Sequence, residues 1–169
     1  TMANHIAIRH LANTNRRVIV QEQSHFYNDS GDCAQTLSGL NLIPIGEDSV
    51  EFSLNEIEDI ISKTKTGRVE TKVGVILIET PVRRQHDIMF MYDNQKAITN
   101  YAKNNEIKTH LDGARLFVQS VHTNLEPAKY GELFDTVYTS LYKCFNSASG
   151  AILAGSKTFT TNLFHERRM

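Results

Sequence analysis

An amine, a carboxylate, an imidazole and a guanidinium each follow closely on a short apolar run in this chain. Arg17–Gln21 (RVIVQ) leads into Gln23-Ser24-His25, and Val73–Glu79 (VGVILIE) ends on Glu79. Ile107–Asp112 ends on Asp112 and is followed by Gly113-Ala114-Arg115, and Thr136–Leu141 leads into Tyr142-Lys143. If the four runs are parallel strands of one open sheet, their carboxyl ends share an edge, where such sheets bind ligands. Converging there, these groups could move protons and hold a small charged molecule. Each has a plainer reading. Lys143 could be a solvated loop lysine, although an apolar strand precedes it and the small residues Ser147, Ala148, Ser149 and Gly150 follow. Asp112 could cap a helix beginning near Ala114, and His25 could lie on the surface. His110 and Asp112 are metal-ligand types on one strand face, but no third ligand stands near them in sequence, so no metal site is expected.

Those residues need elements to carry them. Met2–Ala12 has a helical pattern that includes Ile6, Ile8 and Leu11, and Arg17–Gln21 and Asn41–Ile45 are strand-like. Ser53 and Glu56 have the spacing of a capping box, opening a helix with Leu54, Ile57, Ile60 and Ile61 on one face that ends before Gly67. Val73–Glu79 is apolar throughout, as a strand buried on both faces should be. Tyr92–Asn105, the region around Leu116–Val121, Pro127–Phe134 and Ser156–Arg168 read as helices, while Ile107–Asp112, Thr136–Leu141 and Gly150–Ala154 read as strands. Such alternation predicts an α/β fold with a mostly parallel sheet. About eight residues separate the last two strands, fewer than the dozen or so that a parallel crossover needs, so one of them should run antiparallel.

Composition narrows the function. The 169 residues suit one domain, and a formal charge of −1 gives no reason to expect nucleic acid or an anionic membrane as partner. The longest apolar runs are far too short to span a bilayer, and no basic-then-apolar leader is visible. Cys33 and Cys144 sit in unrelated contexts, as reduced thiols of a cytoplasmic protein would, so the sequon Asn28-Asp29-Ser30 is read as a chance match. Gly150 and Gly155 are spaced like P-loop glycines, but Ser156 stands where that motif requires lysine. No Gly-x-Gly-x-x-Gly follows any strand, which argues against a dehydrogenase. Thr1 opens directly onto a helical pattern and Met169 closes inside another, so the sequence reads as a piece of a longer protein, truncated at both ends.

The run His110-Leu111-Asp112-Gly113-Ala114-Arg115-Leu116-Phe117, with Lys143 31 residues after Asp112, resembles the threonine aldolase/β-eliminating lyase family. Thr1-Met2-Ala3-Asn4 is similar to the tail of that family's Gly-Thr-x-Ala-Asn segment, and Ser24-His25-Phe26-Tyr27 to its histidine-containing segment. Ala154-Gly155 and Arg167-Arg168 also fall where the family has such residues. The resemblance runs essentially from end to end. It implies a three-layer α/β sandwich, mostly parallel with one antiparallel strand. Residues 1–169 would be the pyridoxal-phosphate (PLP) large domain, without the C-terminal small domain. It implies catalytic roles for Lys143, His25 and Asp112, and cofactor contacts from Thr1, His25, Asp112, Arg115, Ser140 and Lys143. Lys143 would bind the PLP aldehyde and Asp112 the pyridine nitrogen. Arg115 would contact the ring oxygen and help hold Asp112, His25 would stack on the ring, and Thr1 would bind phosphate.

The expected activity is cleavage of the Cα–Cβ bond of a β-hydroxy amino acid, by a homodimer or homotetramer. A β-eliminating lyase releasing a keto acid and ammonia is the enzymatic alternative, and a catalytically inactive binding subunit the non-enzymatic one. Two departures bear on this choice. Glu79-Thr80-Pro81-Val82-Arg83 has Val82 where aldolases carry a histidine, and Tyr142-Lys143-Cys144-Phe145-Asn146 replaces the usual Ser-Lys-Gly-Leu-Gly.

Overall fold

The computed structural model describes residues 1–166. Its elements follow in the order α1 (Met2–Ala12), β1 (Arg17–Gln21), α2 (His25–Asn28), α3 (Cys33–Ser38), β2 (Asn41–Ile45), α4 (Leu54–Thr64) and β3 (Val73–Glu79). A 3₁₀ turn (Arg83–Gln85) precedes α5 (Tyr92–Asn104), β4 (Lys108–Asp112), α6 (Leu116–Thr123), α7 (Pro127–Gly131) and β5 (Thr136–Ser140). Then come α8 (Leu141–Cys144), β6 (Ala151–Gly155) and α9 (Lys157–Asn162). The strands form one sheet in the order β2-β1-β3-β4-β5-β6, parallel except for the antiparallel pair β5–β6.

The all-apolar sequence of β3 reflects its place near the middle of this sheet, where every one of its residues is buried. Alternate side chains serve two cores. Ile76 and Ile78 join Ile19 and Leu111 against α4 and α5, through Ile57, Ile98 and Ala102. Val75 and Leu77 join Val18 and Val20 against α1 and α3, through Ile8, Ala12 and Ala34. This makes three layers, helix–sheet–helix, each sheet face burying its own apolar set. Gly74 has no room for a side chain, because a Cβ there would lie 2.1 Å from the Asn15 carbonyl oxygen. The expected capping box is present: the Ser53 hydroxyl accepts from the Glu56 N–H, and the Glu56 carboxylate accepts from the Ser53 N–H at 2.8 Å.

Several boundaries differ from expectation. The fifth strand stops at Ser140, and Leu141 begins the one-turn helix α8. The helix expected over Pro127–Phe134 ends at Gly131, and the last helix covers Lys157–Asn162, short of the predicted Ser156–Arg168. Arg167 and Arg168 lie outside the described residues. Both α2 and α3 were unexpected. Ser24 caps α2 by accepting the Tyr27 N–H, and His5 ties α3 to α1 through Ser38 Oγ at 2.9 Å and Cys33 Sγ at 3.6 Å. Among the described residues no helix is long and apolar enough to cross a membrane.

Candidate active site

Parallel pairing sets the reactive strand ends side by side. Glu79 lies in register with Asp112, and Asp112 with Tyr138. Beside them, the Gln21 side chain holds the end of β3: its Nε2 donates to the Glu79 carbonyl at 3.0 Å, and its Oε1 accepts the Glu79 N–H. Thr1, His25, Asp112, Arg115 and Lys143, all named from sequence, line one cavity of about 110 Å³, together with Glu79, Tyr138 and Tyr142. A larger groove of about 630 Å³ between α1, β6 and α9 shares Thr1, Tyr138 and Tyr142 with it. The sixth named residue, Ser140, is fully buried at the base of the Lys143 turn. Its hydroxyl comes near enough to the Tyr138 phenol to affect its ionisation, yet makes no hydrogen bond of ordinary geometry among the described residues.

Asp112 is 2% exposed. Asn4 Nδ2 donates to its Oδ2 at 2.5 Å and the Ala114 N–H to its Oδ1 at 3.1 Å. Asn4 Oδ1 in turn accepts from His110 Nε2 at 3.0 Å, and His110 Nδ1 accepts from the Thr136 hydroxyl at 2.8 Å. Burial pushes the His110 pKa down to about 3, so the ring is neutral, with one N–H to give and one lone pair to fill. The result is a closed chain of neutral hydrogen bonds from β5 through β4 to α1, ending on the carboxylate. It corrects two expectations. Arg115 does not hold Asp112 but pairs with Asp87 at 3.6 Å. Asp112 does not cap α6, whose N-cap is Arg115; it fastens the turn before that helix. Gly113 is required in this turn, since a Cβ there would meet both Leu116 Cβ and the Tyr138 carbonyl at 3.0 Å.

Burial raises the pKa of Asp112, against the pull of the Ala114 N–H and the Lys143 charge. Glu79 is pushed up to about 7, first by burial and then by the Asp112 charge, although the backbone N–H groups of His25 and Arg83 both donate to its carboxylate.

His25 opens α2, so the turn that ends β1 sets its imidazole over the strand ends. Nε2 lies 3.0 Å from the Thr1 hydroxyl and Nδ1 3.2 Å from Asp29 Oδ2. Thr1 is the N-cap of α1, but its hydroxyl does not cap that helix. Lys143 is exposed on α8, its Nζ 5.6 Å from the Tyr142 ring centroid. Val82 is 0% exposed and belongs to the core rather than the cavity. Asp29 and Tyr138 carry no signal in the sequence that marks them for the site, whereas Asn4 closes the Thr1-Met2-Ala3-Asn4 segment, and its role as the partner of Asp112 emerges only in the fold.

The donor set fits PLP. Both donors to Asp112 are neutral amides, so its buried charge lacks a full counter-cation of the kind a protonated ring nitrogen supplies. A primary amine stands across the same cavity, and the first turn of α1 has no side-chain cap on the amides that a phosphate would use. Fold and site together are those of a PLP-dependent protein of the aspartate-aminotransferase fold.

The chain belongs to the β-eliminating lyase family, whose sequence profile matches residues 1–169. A Listeria monocytogenes protein assigned as an L-allo-threonine aldolase has the same fold, with a TM-score of 0.86 and 29% identity over 99% of this chain and 45% of its own. The low specificity L-threonine aldolase of Saccharomyces cerevisiae is 24% identical over 99% of this chain and 43% of its own. The alanine racemase TOXG of Cochliobolus carbonum is 28% identical, again over 99% of this chain and 43% of its own. The chain thus spans less than half the length of these relatives.

Proposed function

We propose that the full-length protein is a PLP-dependent lyase that cleaves the Cα–Cβ bond of a β-hydroxy amino acid, as a threonine aldolase does, giving glycine and an aldehyde. The observation that carries this reading is the convergence of Lys143, Asp112 and His25 on one cavity at the carboxyl edge of the sheet. Its relatives named as threonine aldolases point the same way. Residues 1–169 form the cofactor-binding large domain of a cytoplasmic homodimer or homotetramer. Unpaired Cys33 and Cys144 and the exposed Tyr142 and Phe145 of the Lys143 turn support that setting.

When bound, PLP draws into its ring the electron pair of the bond broken at the substrate α-carbon. Lys143 Nζ would hold the cofactor aldehyde and, once the substrate amine displaces it, carry a proton to and from Cα. Asp112 would face the ring nitrogen and favour its protonated form, and the Asn4–His110 chain fixes the orientation of this carboxylate. Thr1 and the first amides of α1 would bind phosphate, with the buried Ser140 hydroxyl as a further donor. Arg115 lies along the cavity wall, suited to the ring oxygen. His25 would pack against the ring, and its imidazole would accept the substrate hydroxyl proton as the Cα–Cβ bond opens.

The test is product analysis with threonine, allo-threonine, phenylserine and serine. Glycine with the matching aldehyde is expected, and His25→Phe should lose about 10²- to 10⁴-fold in cleavage while still exchanging the α-proton of glycine. A second reading, β-elimination giving a keto acid and ammonia, is favoured by Val82, whose buried side chain carries no proton where aldolases have a histidine. Pyruvate from serine, with no glycine from the other substrates, would establish that alternative.

A further inference from the structure

The Asp29 carboxylate has no part in the roles assigned so far, yet it gathers the charges beside the cavity. It lies one helical turn after His25, as the C-cap of α2, which puts both side chains on one face. Its Oδ2 is 3.2 Å from His25 Nδ1 and accepts from Arg83 Nη2 at 2.8 Å, while Arg84 Nη1 lies 3.5 Å from Oδ1. Its side chain is 25% exposed. Partial burial raises its pKa, but hydrogen bonds from Arg83 and His25, together with their charges, outweigh this and leave it below the ordinary carboxylate value. Asp29 is therefore ionised at neutral pH and can only accept hydrogen bonds. The nitrogen facing it must carry the proton.

We propose that Asp29 is a positioning residue that fixes the Nδ1–H form of His25, so that the Nε2 lone pair faces the cavity as the base for a substrate hydroxyl. This rests on the aldolase reading above. Three observations bear on it. Nε2 already meets a hydroxyl, that of Thr1 at 3.0 Å, and the Thr1 side chain is the same CH(OH)CH₃ group that threonine would present. Arg83 anchors both carboxylates that touch His25: its side chain binds Asp29, and its backbone N–H donates to Glu79, which also accepts the His25 N–H. Arg83 follows Val82, so the segment that lacks the family's histidine supplies the cation that holds Asp29. A base, the acceptor that orients it and the cation that holds the acceptor are thus arranged in series, the logic by which a carboxylate sets the form of a catalytic imidazole.

The experiment uses the full-length protein labelled with ¹⁵N-histidine. In the cofactor-free form, long-range ¹H–¹⁵N spectra at pH 8 should show His25 as the Nδ1–H form, its signals identified by their loss in His25→Phe. Asp29→Ala, which removes the acceptor, should shift His25 to the Nε2–H form that free imidazole side chains prefer. Asp29→Asn should retain Nδ1–H, because its amide oxygen can still accept. In the holoenzyme, Asp29→Ala should lower kcat for cleavage by about a hundredfold with KM within about twofold. Asp29→Asn should recover most of the loss, and glycine α-proton exchange should hold in both. An Nε2–H signal in the wild type, an unchanged spectrum in Asp29→Ala, or equal loss of cleavage and exchange would overturn the proposal. Absence of glycine formation by the wild type would refute the aldolase reading alone, since the spectra test the Asp29–His25 pair without turnover.

Discussion

At the β4 end of the cavity Asp112 is buried and held by two hydrogen bonds, one of them backed by a chain through Asn4, His110 and Thr136. At the β5 end Lys143 stands exposed on a one-turn helix, beside Tyr142 at 54% exposure and ahead of a loop of small residues. The two groups would serve one cofactor, yet the chain treats them oppositely. A carboxylate whose charge must meet a ring nitrogen has to stay in one orientation, and removing it from water makes every unsatisfied contact expensive. A lysine that binds, releases and carries protons has to move, and a solvated turn leaves it that freedom. Changes at the rim should therefore disturb chemistry without disturbing the fold. Changes at the floor should disturb both.

The largest effect is expected from Lys143→Ala in the full-length protein. Turnover should fall by about 10⁴-fold or more, with loss of the visible absorption of covalently bound cofactor. Its unfolding midpoint without cofactor should match the wild type, and a clear destabilisation would break the contrast between rim and floor. Asp112→Asn keeps the shape but removes the charge, so kcat should fall about a hundredfold, or ~3 kcal/mol, with PLP retained. Wild-type kcat in this variant would reduce Asp112 to a fastener of the turn before α6.

Glu79 sharpens the comparison through pH. Its pKa is raised from 4.5 to about 7 in the folded protein, so between these values the folded state holds a proton that the unfolded state releases. The stability this confers is complete below pH 4.5 and is lost as pH rises to 7, by on the order of 3 kcal/mol. His110, lowered from 6.5 to about 3, acts in the opposite sense over part of that window, so the wild-type curve alone hides the effect. The stability of Glu79→Gln relative to wild type should therefore rise from pH 4.5 to 7, as denaturant titration of the cofactor-free protein would measure. A flat difference would show that Glu79 ionises freely. The smallest effect belongs to Asn4→Ala, which leaves Asp112 Oδ2 and His110 Nε2 without partners. It should cost about 2 kcal/mol of stability and lower kcat by less than Asp112→Asn. No loss of stability would mean that water replaces the amide.

Much of this was legible in the chain. The apolar run of β3, the Ser53–Glu56 capping box and the antiparallel pairing of the last two strands depend on residues close together in sequence, so spacing and pattern reveal them. So did the alignment of Glu79, Asp112 and Lys143, because each ends or follows a recognisable strand and parallel strands share a carboxyl edge. Tertiary structure decided the partners. Asn4 meets Asp112 across 108 positions, and Arg115 turns to Asp87 rather than to Asp112. Val82 belongs to the core, and a four-residue helix too short to form alone brings His25 onto Asp29. Local preferences act over a turn or a strand, whereas a hydrogen bond between distant side chains exists only where the sheet order brings their elements together.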